Sequence, residues 1–389
     1  MIENLSVVVA GGGTAGHISP MLAIADALRK HHPSAVVAAV GTRQGMETRL
    51  VPPAGYALEF IERVPMPRRP SADLLKLPWR FRSAVRQGRE ILRRHRAEVL
   101  VGVGGYVCTP LYVAAAREGI PVVVHEANRR AGLANRVGAR RASAVATAFP
   151  DSTLPGARQI GMPMRSRIAG LDRMAQRVHA RQRLGLQQDV PTLIVTGGSS
   201  GAAAMNQTVR ELIQSPAWHG SSAQMLHLTG RGKELRASDG ALLEAPGYHQ
   251  VDYVEGMEDV YAAADLLVAR SGAGTVCEVA AVGVPAIFVP LPIGNGEQAL
   301  NASELIEADA ALLVSDQEFT AAWAVEHILP LLMDSQRLEQ MSAAGQQLGI
   351  RDAAEQMVRI ITRIAEEHRG AAGTSARRSP DVDQTRGES

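Results

Sequence analysis

The sequence predicts an α/β chain of two Rossmann-like domains facing each other across a cleft. Three observations carry that expectation. Short apolar, β-branched runs alternate with stretches of helical periodicity along most of the chain, the pattern of a parallel, doubly wound sheet. Two glycine-rich turns, Gly11-Gly12-Gly13-Thr14-Ala15-Gly16-His17 and Gly197-Gly198-Ser199-Ser200-Gly201-Ala202, each follow a strand and open a helix. After Gly161-Met162-Pro163-Met164-Arg165 the alternation starts afresh, so that segment reads as a hinge between a first domain, residues 1–163, and a second, 164–351. With 389 residues, the chain is long enough for both.

In order, Leu5 to Ala10 is a continuous apolar strand, and Met21 to Leu28 has helical periodicity. The turn between them contains G-x-G-x-x-G at Gly11, Gly13 and Gly16, a dinucleotide fingerprint in its proper context. The next strand, Ala35 to Val40, ends in Gly41-Thr42-Arg43 without the acidic residue that holds a ribose, although Arg43 leaves NADP open. His17 stands at the helix start, where the helix dipole disfavours its charged form and leaves a neutral imidazole able to accept a proton. The alternative is a packed or capping histidine. Further strands are expected at Leu58 to Ile61, Val99 to Val103, Val122 to His125 and Ala142 to Thr147. The turns Gly104-Gly105-Tyr106 and His125-Glu126-Ala127-Asn128 close two of them and should open onto the same cleft as His17. Glu126 is a second candidate base or hydroxyl-binding group, or else a helix-start carboxylate.

Residues 64 to 97 depart from this pattern. Pro65, Pro67, Pro70 and Pro78 punctuate Leu74, Leu75, Leu77, Trp79 and Phe81, with Arg68, Arg69, Lys76 and Arg80 among them. Phe81, Val85, Gly88 and Leu92 then line one helix face, and Arg82, Arg86, Arg89, Arg93 and Arg96 the adjoining one. An apolar edge bordered by arginines suits an anionic membrane surface, and a core-packed helix with a basic flank is the other reading. Residues 1–165 hold 23 Lys and Arg against 11 Asp and Glu, and the remainder 18 against 28, so the first half is the one expected to meet an anionic partner. Nucleic acid fits less well, because the few aromatic residues are not interleaved for base stacking.

In the second half, strands are expected at Leu193 to Thr196, Met225 to Leu228, Tyr248 to Val254, Leu266 to Ala269 and Ala286 to Val289. The last two flank Arg270-Ser271-Gly272-Ala273-Gly274 and a helix carrying Glu278, together one βαβ unit. The amides at that helix start suit a phosphate, and Glu278, about one turn further in, could accept hydrogen bonds from two neighbouring hydroxyls such as those of a ribose. The alternative is a surface glutamate. The polar loop from Leu291 through Gln298 to Asn301 could read sugar hydroxyls or simply cap a helix. Helices from about Ala321 close the domain, the last of them, near 352–369, is expected to return to the first domain, and 370–389 reads as a disordered tail.

Composition narrows the setting. No apolar run approaches the roughly eighteen residues of a membrane span, and no basic leader precedes the first strand. Cys108 and Cys277 are too few for a disulfide framework and suggest a reducing cytoplasm. No His, Cys or Asp cluster has ligand spacing, so no metal is expected, and no cofactor is expected apart from the NADP of the rival reductase reading.

Taken together, Gly12 to His17, Gly104-Gly105-Tyr106, His125 to Asn128 with Ala131-Gly132-Leu133, Gly161 to Arg165, Gly197-Gly198-Ser199, Arg270 to Glu278, and Gln298 with Asn301 match a known set in number, order and spacing. In these motifs the chain resembles the MurG family, the UDP-GlcNAc:lipid I N-acetylglucosaminyltransferases of peptidoglycan synthesis, over nearly its whole length up to the tail. The resemblance implies a GT-B fold and inverting, metal-independent transfer of GlcNAc to the C4 hydroxyl of MurNAc in undecaprenyl-linked lipid I, giving lipid II at the cytoplasmic face of the membrane. It implies that Glu278 binds the ribose, Val254 the uracil, Ser199 with Ala273, Gly274, Thr275 and Val276 the diphosphate, and Gln298 the GlcNAc. Cys277 falls within the same run, and Arg165, Asn128, Thr14, Ala15 and Gly16 match further donor-binding positions across the cleft. Ala15, Ala127, Ser200, Met162 and Glu297 depart from the family's common residues. His17 and Glu126 are the candidate bases. UDP-GlcNAc, lipid I and an anionic membrane surface are the expected partners, with divisome or elongation proteins as further candidates. The rival expectations are a UDP-GlcNAc 2-epimerase, an NADP-dependent reductase and a non-catalytic membrane-associated scaffold.

Overall fold

The structure, a computed structural model, describes residues 4–64, 73–198, 201–292 and 296–376. Its first sheet contains β1 (Ser6–Ala10), β2 (Val36–Gly41), β3 (Ala57–Phe60), β4 (Val99–Gly102), β5 (Val122–Glu126), β6 (Ala144–Thr147) and β7 (Ala157–Gln159). Across the sheet they run β3-β2-β1-β4-β5-β6-β7, every pair parallel. The second contains β8 (Thr192–Thr196), β9 (Gln224–Leu228), β10 (Tyr248–Val251), β11 (Leu266–Ala269), β12 (Ala286–Phe288) and β13 (Ala311–Leu313), in the order β10-β9-β8-β11-β12-β13, again parallel. Helices cover both faces of each sheet, which is why the central strands are apolar throughout rather than alternating. The edge strands β7 and β13 are absent from the sequence reading, because three residues are too few to show a period.

Both sheets reverse direction at the same relative place, between β1 and β4 and between β8 and β11. A crevice opens outside the carboxyl ends of the strands at such a point. The turns after β1, β4, β8 and β11 are the glycine-rich segments noted above, so two switch-point crevices carry the chain's glycine turns. The hinge strand of chain from Ile160 to Met164 is buried, and Gly161 (φ +89°) lies so close to Ile350 that a Cβ there would come within 2.6 Å of it. The two chain crossings between the sheets therefore lie side by side.

Three expectations change here. The helix Asp73–Arg94 turns Val85, Gly88 and Leu92 into the core, not outward: a Cβ on Gly88 would meet Leu111 at 2.9 Å and Ala114 at 3.2 Å. That face is the packing surface for the helix Cys108–Glu118, with about 1.5–3 kcal/mol gained for each large side chain buried. Its arginines are largely committed as well, Arg89 and Arg93 to Glu118 and Arg94 to Glu59 at 3.0 Å. Among the described residues of this helix, Trp79, 72% exposed, is the large apolar side chain that faces outward. Residues 65–72, and the side chains of Leu74 and Leu75, lie outside the described residues. Secondly, β10 stops at Val251, which leaves Val254 in the loop beyond it. Thirdly, the helix Ala353–Ala376 runs seven residues into the stretch read as tail, and 377–389 lie outside the described residues. This helix packs through Met357, Val358, Ile361 and Ile364 on the helix Ala15–His31, and Arg369 pairs with Glu98.

Candidate active site in the interdomain cleft

The helix Ala273–Val282 begins without a side-chain cap and without an acidic residue in its first turn. Its N-cap is Gly272, and a Cβ added at Gly272 or Gly274 would meet nothing within 4 Å. The first amides of the helix are thus unpaired by side chains, carry the positive end of the dipole and face open space, the requirements for holding a phosphate. The opposing helix Ala15–His31 starts in the same way, with Thr14 as an extended N-cap that makes no cap bond and no acid in the first turn. The two helices meet across the domain boundary.

Glu278 sits half-buried in the second turn of its helix. The Tyr261 hydroxyl donates to its Oε2 at 2.6 Å, and Arg165 at the hinge acts on it through its charge. Burial raises its pKa to about 7 against the opposing effects of Tyr261 and Arg165, with Glu258 adding to the rise. Gln298 accepts from the Leu291 amide through Oε1 at 2.9 Å. Val254 is half-buried against the second core, while Ser199 lies outside the described residues. Cys277, half-buried and free, lines a hollow at the hinge together with Gly161, Val276 and Ile350.

On the first-domain side, Thr14 Oγ1 lies 3.2 Å from His17 Nδ1, and the ring rests on Gly104, whose absent Cβ would fall 2.9 Å from Cδ2 and Nε2. The His17 pKa is lowered, as the sequence suggests, but the leading cause is burial rather than the helix dipole, with the Gly12 backbone opposing it. Glu126 is held on both oxygens, and burial raises its pKa against those bonds. It is 2% exposed; its Oε1 accepts from the Asn128 amide at 2.9 Å, and its Oε2 from the Gly132 amide at 2.9 Å and Asn135 Nδ2 at 3.0 Å. It fastens the 127–132 loop. That loop reaches across the cleft, where the Arg129 amide donates to Asn301 Oδ1 at 3.0 Å and Asn301 Nδ2 to Asn128 Oδ1 at 3.3 Å.

Two participants escape a reading of the sequence. Glu47 is fully buried against Gly12, Gly41 and Gly45, accepting from the Thr42 amide at 2.8 Å and the Gly13 amide at 3.4 Å. A carboxylate under the first glycine turn makes it a poor cradle for a diphosphate, and Arg43 is laid over the Phe60 ring, so nothing in the crevice supports a bound NADP. Tyr261, 17 positions before Glu278, has no local pattern that announces its bond.

Models of the glycosyltransferase family 28 N-terminal and C-terminal domains match residues 7–147 and 192–357. A UDP-N-acetylglucosamine–N-acetylmuramyl-(pentapeptide) pyrophosphoryl-undecaprenol N-acetylglucosamine transferase of Paenarthrobacter aurescens is 59% identical over 359 residues, covering 92% of this chain and 96% of the relative. The chain belongs to this transferase family. A relative of the same description from Mycolicibacterium smegmatis is 48% identical over 375 residues, 95% of this chain and 97% of its own. Among solved structures, Acinetobacter baumannii MurG superposes with a TM-score of 0.73 at 27% identity, covering 92% of this chain and 99% of that one. The chain is thus a glycosyltransferase with two parallel-sheet domains in the GT-B arrangement of the family. The UDP-GlcNAc 2-epimerase of Neisseria meningitidis shares the fold, with a TM-score of 0.65 over 92% of this chain and all of its own, but at 15% identity. Nothing in the residues or the relatives favours an epimerase.

Proposed function

We propose that this enzyme transfers GlcNAc from UDP-GlcNAc to the C4 hydroxyl of MurNAc in lipid I, forming lipid II for the cell wall. The observation that carries the reading is the pairing across the cleft of a carboxylate fixed by a tyrosine, beside an open helix start, with an uncharged histidine. In the second domain Glu278 receives the ribose hydroxyls, Val254 lies beside the uracil, and the amides from Ala273 to Val276, Ser199 and Arg165 meet the diphosphate. Gln298 and Asn128 flank the sugar, with Thr14, Ala15 and Gly16 facing it from the first domain.

His17 is the base. In the tautomer whose Nδ1–H donates to Thr14 Oγ1, 3.2 Å away, Nε2 is the nitrogen that takes the proton of the C4 hydroxyl. The oxygen attacks the anomeric carbon from the side opposite UDP, the new C–O bond forming as the bond to the β-phosphate oxygen breaks. UDP leaves with the bonding pair, its added charge met by the helix-start amides, and the configuration inverts. Glu126, with both oxygens engaged, holds the acceptor loop instead of taking the proton.

The enzyme works at the cytoplasmic membrane face, where its lipid-linked acceptor resides. Among the described residues no helix is long and apolar enough to cross a membrane. What supports a peripheral attachment is the exposed Trp79 beside the exposed Lys76 and Arg82. Through lipid II its activity serves cell shape and division. The test is UDP release from UDP-GlcNAc with and without a lipid I analogue. Release that requires the analogue and yields the disaccharide is expected, whereas ManNAc formed from UDP-GlcNAc alone would restore the epimerase.

A further inference from the structure

Glu278 does not stand alone in the donor crevice. Tyr261 projects from the neighbouring helix Met257–Ala263, is 1% exposed and reaches Glu278 with its hydroxyl as donor. A buried phenol placed in this way immobilises Oε2 of Glu278, and among the described residues Oε1 has no protein partner. A carboxylate that must receive two adjacent hydroxyls gains from being held in one rotamer before the ligand arrives, because the ordering cost is then met in folding and not in binding.

We propose that Tyr261 is a positioning residue for nucleotide binding, fixing Glu278 Oε2 so that Oε1 is presented to the ribose. The proposal rests on the reading of Glu278 as the ribose carboxylate and deepens it. The hydroxyl also favours the ionised, purely accepting form of Glu278 over the protonated one. The other groups facing the carboxylate are Arg165 from the hinge, which acts in the same direction, and Glu258, which opposes it and is itself paired with Arg167 at 3.4 Å. Cys277 adjoins it on its own helix. With Glu278 near pH 7 in the free enzyme, nucleotide affinity falls as the pH drops below about 7, since protonation converts an acceptor into a donor. Removing the Tyr261 hydroxyl removes a bond that favours ionisation, so the midpoint of that fall moves to higher pH.

The experiment titrates the full-length enzyme with UDP and with 2′-deoxy-UDP between about pH 6 and pH 9, for the wild type, Tyr261→Phe, Glu278→Gln and the double variant. Tyr261→Phe deletes one oxygen and keeps the ring, so the core stays filled. The expected result is a roughly ten-fold loss of UDP affinity at pH 7 that narrows toward pH 9, an upward shift of the midpoint, and a smaller preference for UDP over 2′-deoxy-UDP. In the Glu278→Gln background, the same phenylalanine substitution should have little further effect and no pH midpoint. A Tyr261→Phe enzyme with wild-type affinity and midpoint, or an equal loss in both backgrounds, overturns the proposal. If Glu278→Gln itself leaves UDP binding unchanged, it is the ribose role of Glu278 that fails.

Discussion

Gly104→Ala tests whether the placement of His17 matters to turnover independently of donor binding. Gly104 has φ +102°, a region that costs a side-chain-bearing residue of order 1–3 kcal/mol. The new Cβ would fall 2.9 Å from His17 Cδ2 and Nε2 and 3.5 Å from Asn135 Nδ2. Relieving the first contact to an ordinary separation of about 3.6 Å moves the ring by most of an ångström, and a misplacement of about 1 Å at a reacting group costs on the order of 100-fold in rate. Gly119→Ala is the control: φ is +71° and nothing lies within 4 Å, so it carries strain without a collision. The assay is kcat with saturating UDP-GlcNAc and a lipid I analogue, alongside calorimetric UDP titration and thermal melting. Gly104→Ala should lose about 100-fold in kcat with UDP affinity within about two-fold of wild type, while both variants melt a few degrees lower. A Gly104→Ala enzyme with the kcat of Gly119→Ala would refute the reasoning.

Further expectations follow from the same geometry. His17 must be neutral to act, and burial lowers its pKa from the ordinary imidazole value, so the acid limb of the kcat profile should lie below that of a free imidazole; an acid limb at or above the free-imidazole position would contradict this. Glu126→Gln places an NH2 group against amide donors and should cost about 1–3 kcal/mol of stability with less than ten-fold loss in kcat of the folded enzyme. A wild-type melting temperature with a hundred-fold loss of kcat would instead make Glu126 the base. Replacing Trp79 with Ser should move protein from anionic vesicles to the supernatant in a sedimentation assay, and an unchanged distribution would defeat the proposed attachment.

The central strands were legible because burial on both faces leaves continuous β-branched runs such as Ser6–Ala10 and Val122–Glu126, and the helix starts because glycine turns follow them. What periodicity cannot say is what an apolar face covers. The Phe81-to-Leu92 stripe reads equally as a membrane edge or a core face, and Gly88 in its middle decides for the core, since glycine in a helix costs about 1 kcal/mol and here admits a close helix contact. Glu126 reads from the sequence as a base, a hydroxyl-binding group or a helix-start carboxylate alike, because its donors, at 128 and 132 in a loop and 135 on the short helix beyond it, are placed by a path the sequence does not specify. The Tyr261 bond to Glu278 and the Glu47 bond to Gly13 join separate elements, and no local spacing encodes them.

The division of labour between the domains is tested most directly by calorimetric titration of UDP-GlcNAc into His17→Ala and Glu278→Ala, each paired with a turnover assay. The account predicts that His17→Ala binds the donor as the wild type does and turns over at least a hundred-fold more slowly, while Glu278→Ala binds it at least ten-fold more weakly. A fully active His17→Ala enzyme, or wild-type donor affinity in Glu278→Ala, would contradict it.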